Sequence, residues 1–248
     1  MSKKDTATQP QFPNKRKPFF TCIKAFLRLI RPKTEVLDLN EGKATPGIFL
    51  SNHSATSGPL MVELYLPYLY HPWGTYQMNG NIKERFQYLY HIFFRQKKHM
   101  KKVPAFVLAC LLSTVSKAFY RGMGLISTYP DMRLTQTVEQ SISFLADNVS
   151  IVIYPEDSSE GYKEKIETFF GGFLLLSQMY YARYGVDLPI YSMYYSNDRH
   201  KMVISQPEYV RDLLANGMTK EQICDYFRDK TNALFDTYIA DNQPTASV

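Results

Sequence analysis

The sequence predicts an α/β domain, a central and mostly parallel sheet with helices on its faces, preceded by an N-terminal amphipathic helix. Three observations predict it. Short apolar runs alternate with helical periodicities of roughly a dozen residues. Two of those runs, residues 48–51 and 151–154, lack polar alternation, the pattern of a strand covered on both faces. The chain has 248 residues, 45% of them hydrophobic and 15% aromatic, enough to bury one large core.

Residues 1–17 are polar, basic and proline-containing, and read as a disordered arm. Residues 18–33 form the amphipathic helix. Pro18 suits its first turn, Phe19, Phe20, Ile23, Phe26, Leu27 and Ile30 recur at helical spacing, and Pro32 stops it. The α/β domain is assigned to residues 34–240, with strands expected at 36–39 and 48–51. A helix at 60–66 ends before Pro67. The Pro- and Gly-containing stretch 67–82 reads as a loop around a short strand at 75–78. Helices are expected at 83–94 and 104–120, and a strand entering from Gly124. A helix at 134–145, the buried strand 151–154 and an acidic loop at 156–161 follow. Then come a helix at 173–184, strands at 188–195 and 202–205, and helices at 209–214 and 220–239. Thr219 is placed to cap the last of these. Residues 241–248 are a polar tail.

Charge is unevenly spread. Residues 1–33 and 83–121 each hold nine Lys/Arg against one acid, so the rest of a chain of net charge +6 is acidic by ten. Localised basic charge calls for an anionic partner. No nucleic-acid-binding signature is present, and the aromatics follow core spacing rather than stacking platforms. An anionic membrane surface, met by the helix at 18–33 and the cluster Arg95, Lys97, Lys98, Lys101 and Lys102, is the expected partner. The longest unbroken apolar run, residues 105–112, is far below the ~20 residues that cross a bilayer. No cleavable signal pattern opens the chain. Cys22, Cys110 and Cys224 make neither a metal spacing nor a disulfide framework. The expected location is cytoplasmic, peripheral on the cytoplasmic face of a membrane.

Candidate chemistry gathers at two strand ends. The run 48–51 leads into Asn52-His53, small polar residues and Gly58-Pro59, and the run 151–154 leads into Pro155-Glu156-Asp157-Ser158. Open α/β sheets place their chemistry at such carboxyl ends. Phe169 and Gly172 follow, and then Leu188-Pro189-Ile190. In order and spacing these blocks resemble the PlsC-like glycerolipid (lysophospholipid) acyltransferases over about residues 45–200. The family's first block is Asn-His, four residues, then Asp; here Gly58 stands at the Asp position. Its Phe-Pro-Glu-Gly-Thr-Arg block is Tyr154-Pro155-Glu156-Asp157-Ser158-Ser159 here.

The resemblance implies an acyl transfer from a coenzyme A or acyl carrier protein thioester to a hydroxyl of a lysophospholipid or related acceptor. No cofactor or metal is expected to be bound. His53 would be the general base. Asn52, Glu156 and Ser158 would belong to the acceptor pocket. Arg121, Arg133 and the 95–102 cluster are the candidate phosphate ligands. A base of this kind needs an acceptor on its far nitrogen. Asp157 is the expected replacement for the missing acid, with Glu63 behind it. The alternative is a catalytically impaired relative that binds lipid on the same fold, in which restoring an acid at position 58 would raise activity.

Overall fold

A computed structural model describes residues 16–54, 57–157 and 161–240. The basic arm up to residue 15 and the tail 241–248 lie outside the described residues, as does Ser158. The architecture is the expected α/β one. Seven strands form one sheet: β1 (Glu35–Asp38), β2 (Ile48–Ser51), β3 (Tyr70–Thr75), β4 (Ile126–Thr128), β5 (Ser150–Ile153), β6 (Ile190–Ser196) and β7 (Lys201–Glu208). Their spatial order is β1-β7-β6-β2-β5-β3-β4. From β6 to β4 all neighbours are parallel. β7 returns antiparallel to β6, and β1 pairs parallel with β7.

The helices are α1 (Pro18–Ile30), α2 (Gly58–Tyr65), α3 (Ile82–Gln87), α4 (Lys102–Met123), α5 (Leu134–Ala146), α6 (Gly172–Tyr184), α7 (Val210–Ala215) and α8 (Lys220–Phe235). α3 continues as a π-helical segment, Tyr88–Lys97. Side chains alternate along β2 and β5. Ile48, Leu50, Ile151 and Ile153 face α5 and α6 in one core, and Phe49 and Val152 face α2 in another. The crossovers leaving adjacent β2 and β5 therefore run over opposite faces, which opens a crevice between their carboxyl ends.

Two elements differ from expectation. The strand expected at 75–78 lies at Tyr70–Thr75, and residues 76–78 form a single 3₁₀ turn. Pro72 obscured it. The proline stands where β3 changes partner, from β5 over residues 70–72 to β4 over 73–75, so the ladder is interrupted there in any case. α4 is longer than the unbroken apolar run implied. By length and composition alone it is apolar enough to cross a membrane; Ser113, Thr114 and Ser116 hid this by breaking the run.

α1 docks on the body through charge as well as packing. Glu63 of α2 is 1% exposed and pairs with Arg16 at 2.8 Å and Lys24 at 2.9 Å. Arg16 also donates to the carbonyls of Tyr70 and Met123, and Arg28 to that of Leu64. Phe20 packs on Phe119 and against Gly122. Glu63 thus belongs to the α1 clamp and does not serve as the far-nitrogen partner of His53.

Candidate active site

The loop after β2 is pinned on three sides. Asn52 donates its amide to the Tyr195 carbonyl and accepts the Tyr195 N–H, both at 2.9 Å. Ser54 takes a left-handed backbone, φ 43°, and accepts the Asn197 N–H at 3.0 Å. Ser57 donates to the Asn197 side chain at 2.7 Å. Asn52 is therefore a buried strut between β2 and β6. Each end of its amide makes a bond to Tyr195, so the structure gives it a supporting role in the loop.

The third tie reaches β5. Glu156, six percent exposed, accepts the His53 backbone N–H on Oε2 at 2.9 Å. The same oxygen lies 3.4 Å from His53 Nδ1. That contact is not aligned as a hydrogen bond, and among the described residues Nδ1 has no other partner. β2 and β5 are direct neighbours, and this is why two residues 103 positions apart meet. The carboxylate beside the imidazole is thus Glu156. Asp157, expected in that role, has an exposed side chain, and its backbone N–H donates to Thr168.

Position 58 leaves no room for a side chain. A Cβ on Gly58 would stand 1.9 Å from the His53 carbonyl oxygen. The start of α2 packs directly on the histidine's own backbone, so no side chain fits. Glu156 supplies the carboxylate from the next strand instead.

Two tyrosines bracket the ring. Tyr154 lies 5.0 Å and Tyr162 5.1 Å from it, centroid to centroid. The Tyr154 hydroxyl is buried, and burial drives its pKa far up, so it stays protonated. Lys97 Nζ donates to the Tyr162 hydroxyl at 3.0 Å and sits 4.9 Å from that ring's centroid. Of the cations proposed for phosphate, Lys97 is thereby linked to His53. Arg133 is elsewhere: it pairs with Asp131 beyond β4, three strand spacings or roughly 14 Å across the sheet. Arg121, in the last turn of α4, precedes β4 and so stands at the opposite, amino end of the sheet. Tyr162 was not foreseen, because nothing in its neighbourhood marks it in the sequence. Only the path of the loop after Glu156 brings it to His53.

The ring remains reachable, with its side chain 20% exposed. A cavity of about 230 Å³ shares Glu156 with this corner but is not lined by His53; Asp157, Lys163 and Lys165 are among its other lining residues. A larger one of about 500 Å³, between the 167–171 loop, α6 and α8, shares Glu167 and Thr168 with it and is lined by Phe169, Leu174, Leu175 and Cys224. The arrangement offers an imidazole with a carboxylate near Nδ1 and a second nitrogen that has no partner among the described residues, with Lys97 reached through Tyr162.

No protein-family model and no curated protein matches the chain. Among solved structures, the chain is similar to the 1-acyl-sn-glycerophosphate (LPA) acyltransferase PlsC from Thermotoga maritima, at 13% identity and a TM-score of 0.45, over 90% of this chain and 78% of that one.

Proposed function

We propose that the protein transfers an acyl group from a thioester of coenzyme A or acyl carrier protein to a hydroxyl of a lysophospholipid or related acceptor. The observation that carries this reading is the His53–Glu156 corner: Nδ1 lies 3.4 Å from a buried carboxylate at the adjoining ends of β2 and β5. The order of the sequence blocks around that corner supplies the reaction class.

In this reading Glu156 keeps a proton on Nδ1, leaving Nε2 as the base. Nε2 takes the acceptor's hydroxyl proton, the oxygen attacks the thioester carbonyl, and the C–S bond breaks. The departing thiolate receives the proton from the imidazolium, giving ester and thiol. In the same reading Lys97 would meet the acceptor's phosphate, and its contact with Tyr162 beside His53 supports this.

Purified full-length protein given an acyl-coenzyme A and lysophosphatidate will release thiol, and His53→Ala will reduce that release by 10²-fold or more, within the usual range of about 10²–10⁴ for a general base. Undiminished release by His53→Ala overturns the proposal. One observation favours a second reading, a lipid binder without turnover. Oε2 is already engaged by the His53 N–H, and its contact with Nδ1 is long. Lysophosphatidate binding with no thiol release is the result that reading predicts.

A further inference from the structure

α4 is built inside out. Its inward face is a row of small residues, Ala105, Ala109, Ser113 and Ser116, each buried at helical spacing against α3 and the π-helical segment. Leu108 and Met123 turn inward, but five large apolar residues point away from the protein: Val103 is 74% exposed, Leu111 and Val115 61% each, and Phe106 and Val107 about half. Large apolar side chains are ordinarily among the most buried, so a contiguous exposed run of them is the informative observation. The stripe from 103 to 115 is roughly 18 Å long, larger than the scattered apolar residues of an ordinary surface. α1, which touches α4 through Phe20 and Phe119, repeats the pattern, with Phe19 71% and Leu29 84% exposed.

The charge around these helices narrows the occupant. No Asp or Glu occurs between Glu84 and Asp131, or between Arg16 and Lys33. Lys98, Lys101 and Lys102 stand exposed where α4 begins, Arg121 where it ends, and Arg31 and Lys33 follow α1. A second copy of this chain would set the same cations against one another with no acid to neutralise them. An anionic lipid surface pairs with both features at once, taking the apolar side chains into its acyl boundary and the cations into its headgroups.

We infer that the outward faces of α4 and α1 form a docking surface for an anionic lipid bilayer, with α4 lying along the surface. Its small-residue face is already covered by the protein, and Gly124 closes the helix and turns the chain directly into β4. The π-helical segment that ends at Lys97 belongs to the same layer and reaches His53 through Tyr162. Docking does not depend on the acyl-transfer reading, because a protein that binds vesicles without releasing thiol leaves this inference standing.

The test is flotation of the full-length protein with vesicles of phosphatidylcholine alone and of equal parts phosphatidylcholine and phosphatidylserine. The protein will float with the mixed vesicles and only weakly with the neutral ones. Phe106→Ser/Leu111→Ser/Val115→Ser will weaken binding to the mixed vesicles by about a hundredfold, and Lys101→Gln/Lys102→Gln by roughly thirtyfold. Unchanged binding by the triple variant overturns the inference. So does equal binding to both vesicles, or a solution dimer that the triple variant dissociates. A second measurement needs no change in the apolar face. In Cys22→Ser/Cys224→Ser, a polarity-sensitive dye on exposed Cys110 of α4 will shift to the blue with mixed vesicles, and a dye that reports water throughout overturns the inference.

Discussion

At the scale of single residues, one carboxylate oxygen accepts the His53 backbone N–H and stands 3.4 Å from the ring's Nδ1. Glu156→Gln keeps an acceptor for the backbone N–H but loses the charge that favours a proton on Nδ1. Turnover is expected to fall by about 10²-fold, with the melting temperature little changed. Long-range ¹H–¹⁵N spectra give a second readout: the Nδ1–H tautomer in the parent, moving toward Nε2–H in the variant. A parent already in the Nε2–H form would contradict the assignment. At Gly58 the sequence leaves two outcomes open for a restored acid: a gain if the site is impaired, and none if the acid is supplied elsewhere. The structure favours the second. Any side chain there drives into the His53 carbonyl, so Gly58→Asp is expected to cost about 1–3 kcal/mol, as overpacking does, and to lower activity; urea titration and the thiol assay check both. The sequence marked His53 and Glu156 through their places beside buried runs. It could not say which of two adjacent acids turns inward, because that depends on how the chain pairs after Pro155. Glu156 bridges to Phe169, and this leaves Asp157 facing solvent.

At the scale of elements, the clamp between α1 and α2 is the feature most open to test. Glu63 is buried and shared between Arg16 and Lys24. Arg16→Met/Lys24→Met strands its charge and is expected to destabilise the protein by about 3–5 kcal/mol; adding Glu63→Gln should restore most of it. Urea midpoints measure both. His71, at the same junction, lies near Arg16 Nη1 and the Met123 carbonyl. Burial, and then the neighbouring guanidinium, push its pKa down to about 4. The unfolded chain therefore takes up a proton between roughly pH 6.5 and 4 that the folded chain refuses. Stability is full above that window and falls as the pH drops through it, by up to about 3 kcal/mol. His71→Asn is expected to be less stable at pH 7 but to show a flatter fall, readable from melting temperatures across the window. Elements with clean periodicity, such as β2, β5, α5 and α6, were legible in the sequence. β3 was not, because a proline, a histidine and a glycine fill a strand that tertiary pairing imposes.

At the scale of the whole molecule, the parallel sheet brings together the ends of two strands that the sequence separates by a hundred residues. The alternation of apolar runs and helical periods foretold that sheet. The pairing of β2 with β5 was expected only in the sense that the two loops should adjoin. The direction in which α4 turns its large side chains was invisible, since Ala, Ser, Val and Leu all suit a helix and only packing decides which face is covered. Acyl transfer from a thioester to a hydroxyl by His53 and Glu156 is what we propose. The measurement that tests it most directly is mass spectrometry of the acceptor after incubation with an acyl-coenzyme A. One acylated lysophosphatidate per thiol released is expected from the parent protein, and none from His53→Ala at equal melting temperature. Thiol release without acylated acceptor, or acylated acceptor formed equally by His53→Ala, would contradict it.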